Sequence, residues 1–212
     1  MAHGFRSSKI GPSRYFVGLA RELAERGVSA FRFDQPGSGD SEGVFDDSSF
    51  LTWIETIEHF GRQFAAEGYG VALLGQSMGG RAALAAAARL ADALRGLALW
   101  SPATMLDAGL STTGDEWVEE EGQRVGAGFW REAADVDFLR LYRGLAVPAY
   151  IVFGTADTFV AVEDMRAVER ACKPGDRIRV IEGLPHSAWP EPHRTEILRE
   201  TAEFLTGTLR GP

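Results

Sequence analysis

Ser77 stands in Gly75-Gln76-Ser77-Met78-Gly79-Gly80, a G-x-S-x-G pattern placed directly after an apolar run and directly before an Ala-rich run. A serine on a tight strand-to-helix turn, with glycines leaving room beside it, presents its hydroxyl as a nucleophile. The free N–H groups and the positive dipole end of the following helix lie next to it. The plainer reading is a capping serine in a Gly-rich turn; the strand before and the helix after weigh against it. A hydroxyl nucleophile needs a base, and the base needs an orienting carboxylate. Asp157, in Gly154-Thr155-Ala156-Asp157 after another apolar run, supplies the carboxylate, with Asp164 in the next helical segment as reserve. A turn aspartate is its plainer reading. His186, in Gly183-Leu184-Pro185-His186-Ser187 just past the last apolar run, is the base, with His193 in reserve. His59 falls mid-helix beside Phe60 and reads as a surface or core-edge residue. The chain order Ser, Asp, His is one of the known orders for such a set.

An acyl-transfer site also needs two backbone N–H groups aimed at the developing oxyanion. Met78, the residue after the nucleophile, offers one. Phe5, in His3-Gly4-Phe5, offers the other from a loop after an early strand. His3 itself reads as a structural histidine that shapes this turn. Asp34-Gln35-Pro36-Gly37-Ser38-Gly39-Asp40-Ser41-Glu42-Gly43 reads as consecutive tight turns near the site mouth. It carries no dinucleotide fingerprint, because no helix opens at its glycines and the third glycine is misplaced.

The elements that must position these groups show as short, nearly continuous apolar runs. They are Val28–Phe33, Tyr69–Gly75, Leu94–Trp100, Pro148–Gly154 and Arg177–Gly183. Such runs predict strands buried on both faces of a parallel sheet. Helical stripes lie between them over Ser13–Arg26, Ser48–Glu67, the Ala-rich stretch after Ser77, Val162–Cys172 and Pro192–Leu205. The alternation predicts an α/β sheet with its site at the carboxyl ends of the strands. Residues 103–146 break the alternation and show no good strand. They carry nine acids against four arginines, a net −5 of the chain's −8. An insertion of this kind predicts a lid over the site rather than a solvated excursion, because Trp117, Phe129, Trp130, Phe138 and Leu141 need something to cover.

The chain has 212 residues, 45% of them hydrophobic and 25% charged, which is the composition of one globular domain with a real core. The net charge of −8 argues against nucleic-acid partners and against a polybasic membrane anchor. No stretch reads as a membrane span. Cys172 is the single cysteine, so no disulfide within the chain and no Cys-rich zinc site is expected. The first residues have no apolar signal segment, which predicts a cytoplasmic protein.

Taken in order, His3-Gly4-Phe5, the Asp34–Ser41 pattern D-x-P-G-x-G-x-S, Gly75–Gly80, Asp157 and His186 resemble the α/β-hydrolase superfamily over nearly the whole chain. Within it they look most like serine-aminopeptidase-type esterases and acyl hydrolases, including monoglyceride-lipase-like and cinnamoyl-esterase-like members. The resemblance implies a mostly parallel sheet flanked by helices, a Ser77–His186–Asp157 triad, an oxyanion hole of the Phe5 and Met78 N–H groups, no cofactor and no metal. Serine at position 77 speaks against haloalkane dehalogenases, which carry aspartate there. The pattern departs from the family at its start. Members carry an apolar strand running into the HG motif, central in the sheet, and here only Met1 and Ala2 precede His3. The fold is therefore expected to be N-terminally shortened. Either the sheet closes up, or another chain fills the gap as in a homodimer, or the sequence is part of a longer one.

The function expected from this pattern is hydrolysis of a small-molecule carboxylic ester through an acyl-enzyme. Trp117, Phe129, Trp130 and Phe159 are the expected pocket residues. Thioesters, amides and peptides suit the same triad, and a non-catalytic binding protein on the same fold is the reading from a different class.

Overall fold

The computed structural model describes residues 1–106, 117–120 and 123–211, with the backbone alone for 117–120 and 123. In chain order its elements are α1 (Tyr15–Glu25), α2 (Phe50–Ala66), β1 (Val71–Gln76), α3 (Met78–Leu90), β2 (Leu94–Trp100), β3 (Trp117–Glu120), β4 (Gln123–Gly126), α4 (Ala127–Ala134), α5 (Phe138–Gly144), β5 (Ala149–Gly154), α6 (Val162–Arg170), β6 (Arg177–Ile181) and α7 (His193–Arg210). β1, β2, β5 and β6 form one parallel sheet in that spatial order. Four of the five apolar runs thus pair as expected.

The runs are continuous in apolar residues because the sheet is covered on both faces. Side chains alternate along a strand, so each strand divides its residues between two cores. Leu73, Leu97, Leu99, Ile151 and Phe153 enter the core beneath α2 and α3. Leu74, Ala98, Trp100, Tyr150 and Val152 enter the core beneath α1 and α7. Ile151, Val152 and Phe153 are fully buried, so β5 can release Asp157 at a fixed point beyond its end.

The fifth run, Val28–Phe33, is a correction. It forms no strand. The run has the composition of a strand but no ladder partner. A groove of about 630 Å³ separates it from β1, walled by Val28, Phe31, Phe60, Phe64, Leu73 and Leu205. The Met1 ammonium reaches across, donating to the Phe31 carbonyl at 2.9 Å. At the site end of β1, Ala2 pairs in parallel with Gly75. Its N–H donates to Leu74 O at 2.8 Å, and its carbonyl accepts from Gln76 N–H at 3.1 Å. Ahead of His3, pairing with β1 is therefore made by Ala2, in keeping with the shortened start expected of the fold.

The insertion is also corrected in part. No strand was expected in it, yet β3 and β4 pair antiparallel, Trp117 opposite Gly126 and Glu120 opposite Gln123. α4 and α5 follow. Buried Phe129, Phe138 and Tyr142 join the core beneath α2 and α3, so this part of the insertion is docked on the body. The Trp117 side chain and several of the insertion's acids, among them Asp107, Asp115, Glu116 and Glu121, lie outside the described residues.

Candidate active site

β1 delivers Ser77 into the turn before α3 with φ 53° and ψ −124°, a backbone conformation that side chains with a Cβ rarely adopt. Close packing enforces it. A Cβ on Gly75 would stand 2.4 Å from Gly79 O, and one on Gly79 would stand 2.1 Å from His3 O. Both are closer than atoms can approach, so only glycine lets the turn, α3 and the His3 segment meet. The Ser77 N–H donates to Trp100 O at 3.0 Å, and the Ser77 carbonyl accepts from Ala103 N–H at 3.0 Å. The serine is thus tied to the end of β2 and to the segment leaving it.

Asp157 lies just past β5 with its side chain buried. Its Oδ1 accepts from Phe159 N–H at 2.8 Å and Val160 N–H at 3.1 Å, and its Oδ2 stands 2.6 Å from His186 Nδ1. An ionised carboxylate only accepts, so Nδ1 carries the proton and Nε2 keeps a free lone pair. Tyr15 fixes the loop that holds His186. Its ring stacks on Trp189 with centroids 4.4 Å apart, and its hydroxyl oxygen accepts from the Trp189 N–H. Trp189 in turn meets Trp100 edge-on at 5.3 Å. Trp100 is the register partner of Gln76. The loop beyond β6 therefore reaches back across β5 and β2 toward the end of β1. Among the described residues no hydrogen bond joins Ser77 Oγ to His186; such contacts are commonly long before substrate binds.

His3 is fully buried, edge-on to Trp53 at 5.6 Å. Gln35 N–H donates to its Nε2 at 2.9 Å, so Nδ1 carries the proton and donates to Gly4 O at 2.8 Å. That bond fixes the Gly4–Phe5 peptide plane. In a trans peptide the C=O and N–H point opposite ways, so holding Gly4 O aims the Phe5 N–H. A Cβ on Gly4 would lie 3.1 Å from Ser77 Cβ, which places this peptide against the serine. Neither Phe5 N–H nor Met78 N–H has an acceptor among the described residues. Asp34 braces the same loop. Its carboxylate accepts from Lys9 N–H at 2.6 Å, Lys9 Nζ at 2.7 Å and Asp40 N–H at 3.0 Å. Burial alone would raise its pKa, but these donors outweigh burial and hold it below the usual range.

Burial lowers the pKa of His3, against the opposing help of the Gly4 bond and the Asp34 charge. The folded state therefore binds the His3 proton less readily than the unfolded chain. The stabilisation is full above the ordinary value of 6.5 and is lost as pH falls through the lowered value. His3→Gln is expected to flatten the acid side of a plot of melting temperature against pH. It is also expected to lower kcat about tenfold or more with a smaller change in KM, since a misaimed donor weakens oxyanion binding. Unchanged kcat would separate His3 from the Phe5 peptide.

Phe5 is ringed by Phe45 at 5.1 Å, Phe129 at 5.5 Å and Trp130 at 4.9 Å. Of the expected pocket residues, Trp130 is half-buried in this aromatic group. Phe129 is 1% exposed, packed between Phe50 and Trp53, and so lies in the seam between α4 and α2. Phe159 is 67% exposed with its ring 4.8 Å from His186. The reserve groups stand apart: His193 Nδ1 faces Glu196 at 3.8 Å, and Asp164 has Thr104 and Glu163 as its neighbours. Sequence reasoning did not find Gln35, Tyr15 or Trp189. Their roles depend on contacts between distant parts of the chain. Among the described residues no group of three or more His, Cys, Asp or Glu is placed to hold a metal, and no helix is long and apolar enough to cross a membrane.

Residues 1–126 match the family described as Serine aminopeptidase, S33. Among solved structures, Est1E from Butyrivibrio proteoclasticus with ferulic acid bound is similar with a TM-score of 0.85 at 24% identity, over 99% of this chain and 88% of that one. The monoacylglycerol lipase of Paleococcus ferrophilus is similar with a TM-score of 0.79 at 20% identity, over 97% and 92%. The α/β hydrolase GrgF from Penicillium sp. sh18 reaches 0.81 at 16% identity, over 100% and 89%. No curated protein matches significantly in sequence.

Proposed function

Because this chain belongs to the serine aminopeptidase S33 family and carries the α/β-hydrolase fold, we propose that it hydrolyses carboxylic esters through an acyl-enzyme on Ser77. The observation that carries this reading is Ser77 at φ 53° at the site end of β1, with the His186–Asp157 pair at the same end of the sheet. In the proposed reaction His186 Nε2 takes the Ser77 proton as Oγ attacks the ester carbonyl carbon. The Phe5 and Met78 N–H groups stabilise the oxyanion. As the tetrahedral intermediate collapses, His186 gives its proton to the leaving alcohol. It then deprotonates a water that attacks the acyl carbon, and Ser77 leaves with the proton returned. No step calls for a cofactor or a metal.

The acyl group is proposed to lie against Phe5 and Trp130, with Phe159 at the alcohol side near His186. Residues 103–146 are proposed to serve as the lid of the site within a single domain, with α4 supplying Trp130 to the wall. An aromatic or short alkyl acyl group suits such a surface, and the ferulic acid bound to the similar Est1E makes aromatic acid esters the first to try.

A fluorophosphonate probe on folded protein, followed by peptide mass mapping, tests the nucleophile directly. The expected result is a single adduct on Ser77 together with turnover of p-nitrophenyl acetate. Folded protein that neither labels nor turns over would favour a binding role on this fold.

A further inference from the structure

Arg81 lies one turn past Ser77 on α3, and it is 3% exposed. A buried guanidinium is usually found against a carboxylate. Here it is solvated by four backbone carbonyls. Nε donates to Ala133 O at 2.7 Å, Nη1 to Ala103 O at 2.9 Å and Thr104 O at 2.8 Å, and Nη2 to Val136 O at 2.5 Å. Burial lowers its pKa to about 10, with the Asp137 charge opposing. Asp137 itself is engaged elsewhere, capping α5 through Arg140 N–H at 3.0 Å.

Those four carbonyls come from two places. Ala103 and Thr104 are where the chain enters the insertion. Ala133 and Val136 are where it turns at the end of α4. A cation there also meets the negative end of that helix. Ala103 closes the circuit, because its N–H holds the Ser77 carbonyl while its own carbonyl is held by Arg81. α4 in turn carries Phe129 and Trp130, whose rings stand 5.5 and 4.9 Å from Phe5.

We propose that Arg81 is a positioning residue that pins the entry of the insertion and the end of α4 to the nucleophile helix, and so sets where the aromatic wall of α4 stands relative to Ser77. The proposal rests on the reading of Ser77 as nucleophile. It gives Arg81 a role in accepting bulky acyl groups, with little part in the chemistry of small ones.

The test uses the full chain with Arg81→Met, which keeps length and loses all four bonds, and Arg81→Lys, whose three donors can serve part of the set. Hydrogen exchange without substrate is read at the amides of residues 127–134 and, as control, of β2. Arg81→Met is expected to speed exchange in α4 about tenfold or more, since the orphaned carbonyls no longer hold the end of that helix, while β2 is unchanged. kcat on p-nitrophenyl acetate is expected to stay within about threefold, whereas KM for a phenylpropanoyl ester rises about tenfold, with Arg81→Lys between. If Arg81→Met does not fold, Arg81→Lys is judged by the same criteria. Unchanged α4 exchange in the folded variant, or equal loss on both esters, overturns the proposal. If the parent protein turns over neither ester, the functional reading fails, and the exchange data still decide the role of Arg81.

Discussion

Ser77→Ala is expected to cut ester turnover by about 10⁴- to 10⁶-fold in kcat, leaving only what oxyanion binding and substrate positioning supply. The variant removes one oxygen and little else. The turn stays built, because its shape comes from the close approach of Gly75, Gly79 and His3 and from the Ser77 backbone bonds to Trp100 and Ala103. Far-ultraviolet circular dichroism should therefore match the parent protein while p-nitrophenyl acetate turnover falls to background. Turnover within tenfold of the parent would remove Ser77 as nucleophile and turn attention to another hydroxyl or an activated water.

Asp157→Asn is expected to lower kcat by about 10³- to 10⁴-fold with a much smaller change in KM. The geometry gives the reason. Phe159 N–H and Val160 N–H both point at one oxygen, so that position must accept. An amide there has to keep its carbonyl oxygen on that side and turn its NH₂ toward His186 Nδ1. Two donors cannot face each other, so the proton moves from Nδ1 to Nε2. The lone pair that should receive the Ser77 proton is then occupied. Steady-state kinetics on the folded variant across pH 6–9 measures the effect. A loss below about tenfold would show that the 2.6 Å contact between His186 and Asp157 contributes little to the reaction.

What could be read from the residues divides along physical lines. β1, β2, β5 and β6 were legible because a strand covered on both faces must be apolar at consecutive positions. Val28–Phe33 carries the same pattern and forms no strand, because a strand also requires a neighbour, and one residue's side chain says nothing about its neighbour's backbone. The β3–β4 hairpin was hidden by Glu119 and Glu120, acids in a ribbon that the two-face rule does not cover. In the site, Ser77, Asp157 and His186 were legible as residues following strands. The pieces that hold them were not. Arg81 reads as one arginine in an Ala-rich helix, and nothing local shows four carbonyls converging on it. Gln35 acts through its N–H, which every residue but proline has.

The Tyr15–Trp189 pair joins parts of the chain 174 positions apart, and the His3–Gln35 bond spans 32. Contacts of that reach form late in folding, because the entropy of closing the intervening loops must be met before they contribute anything. Helix α1 can form from its own residues while the His186 loop still has no seat. The proposed site is therefore expected to be complete only once α1, the sheet and the loop beyond β6 have all met. Recovery of turnover after dilution from denaturant reports completion of the whole topology, whereas recovery of helical signal reports only its parts.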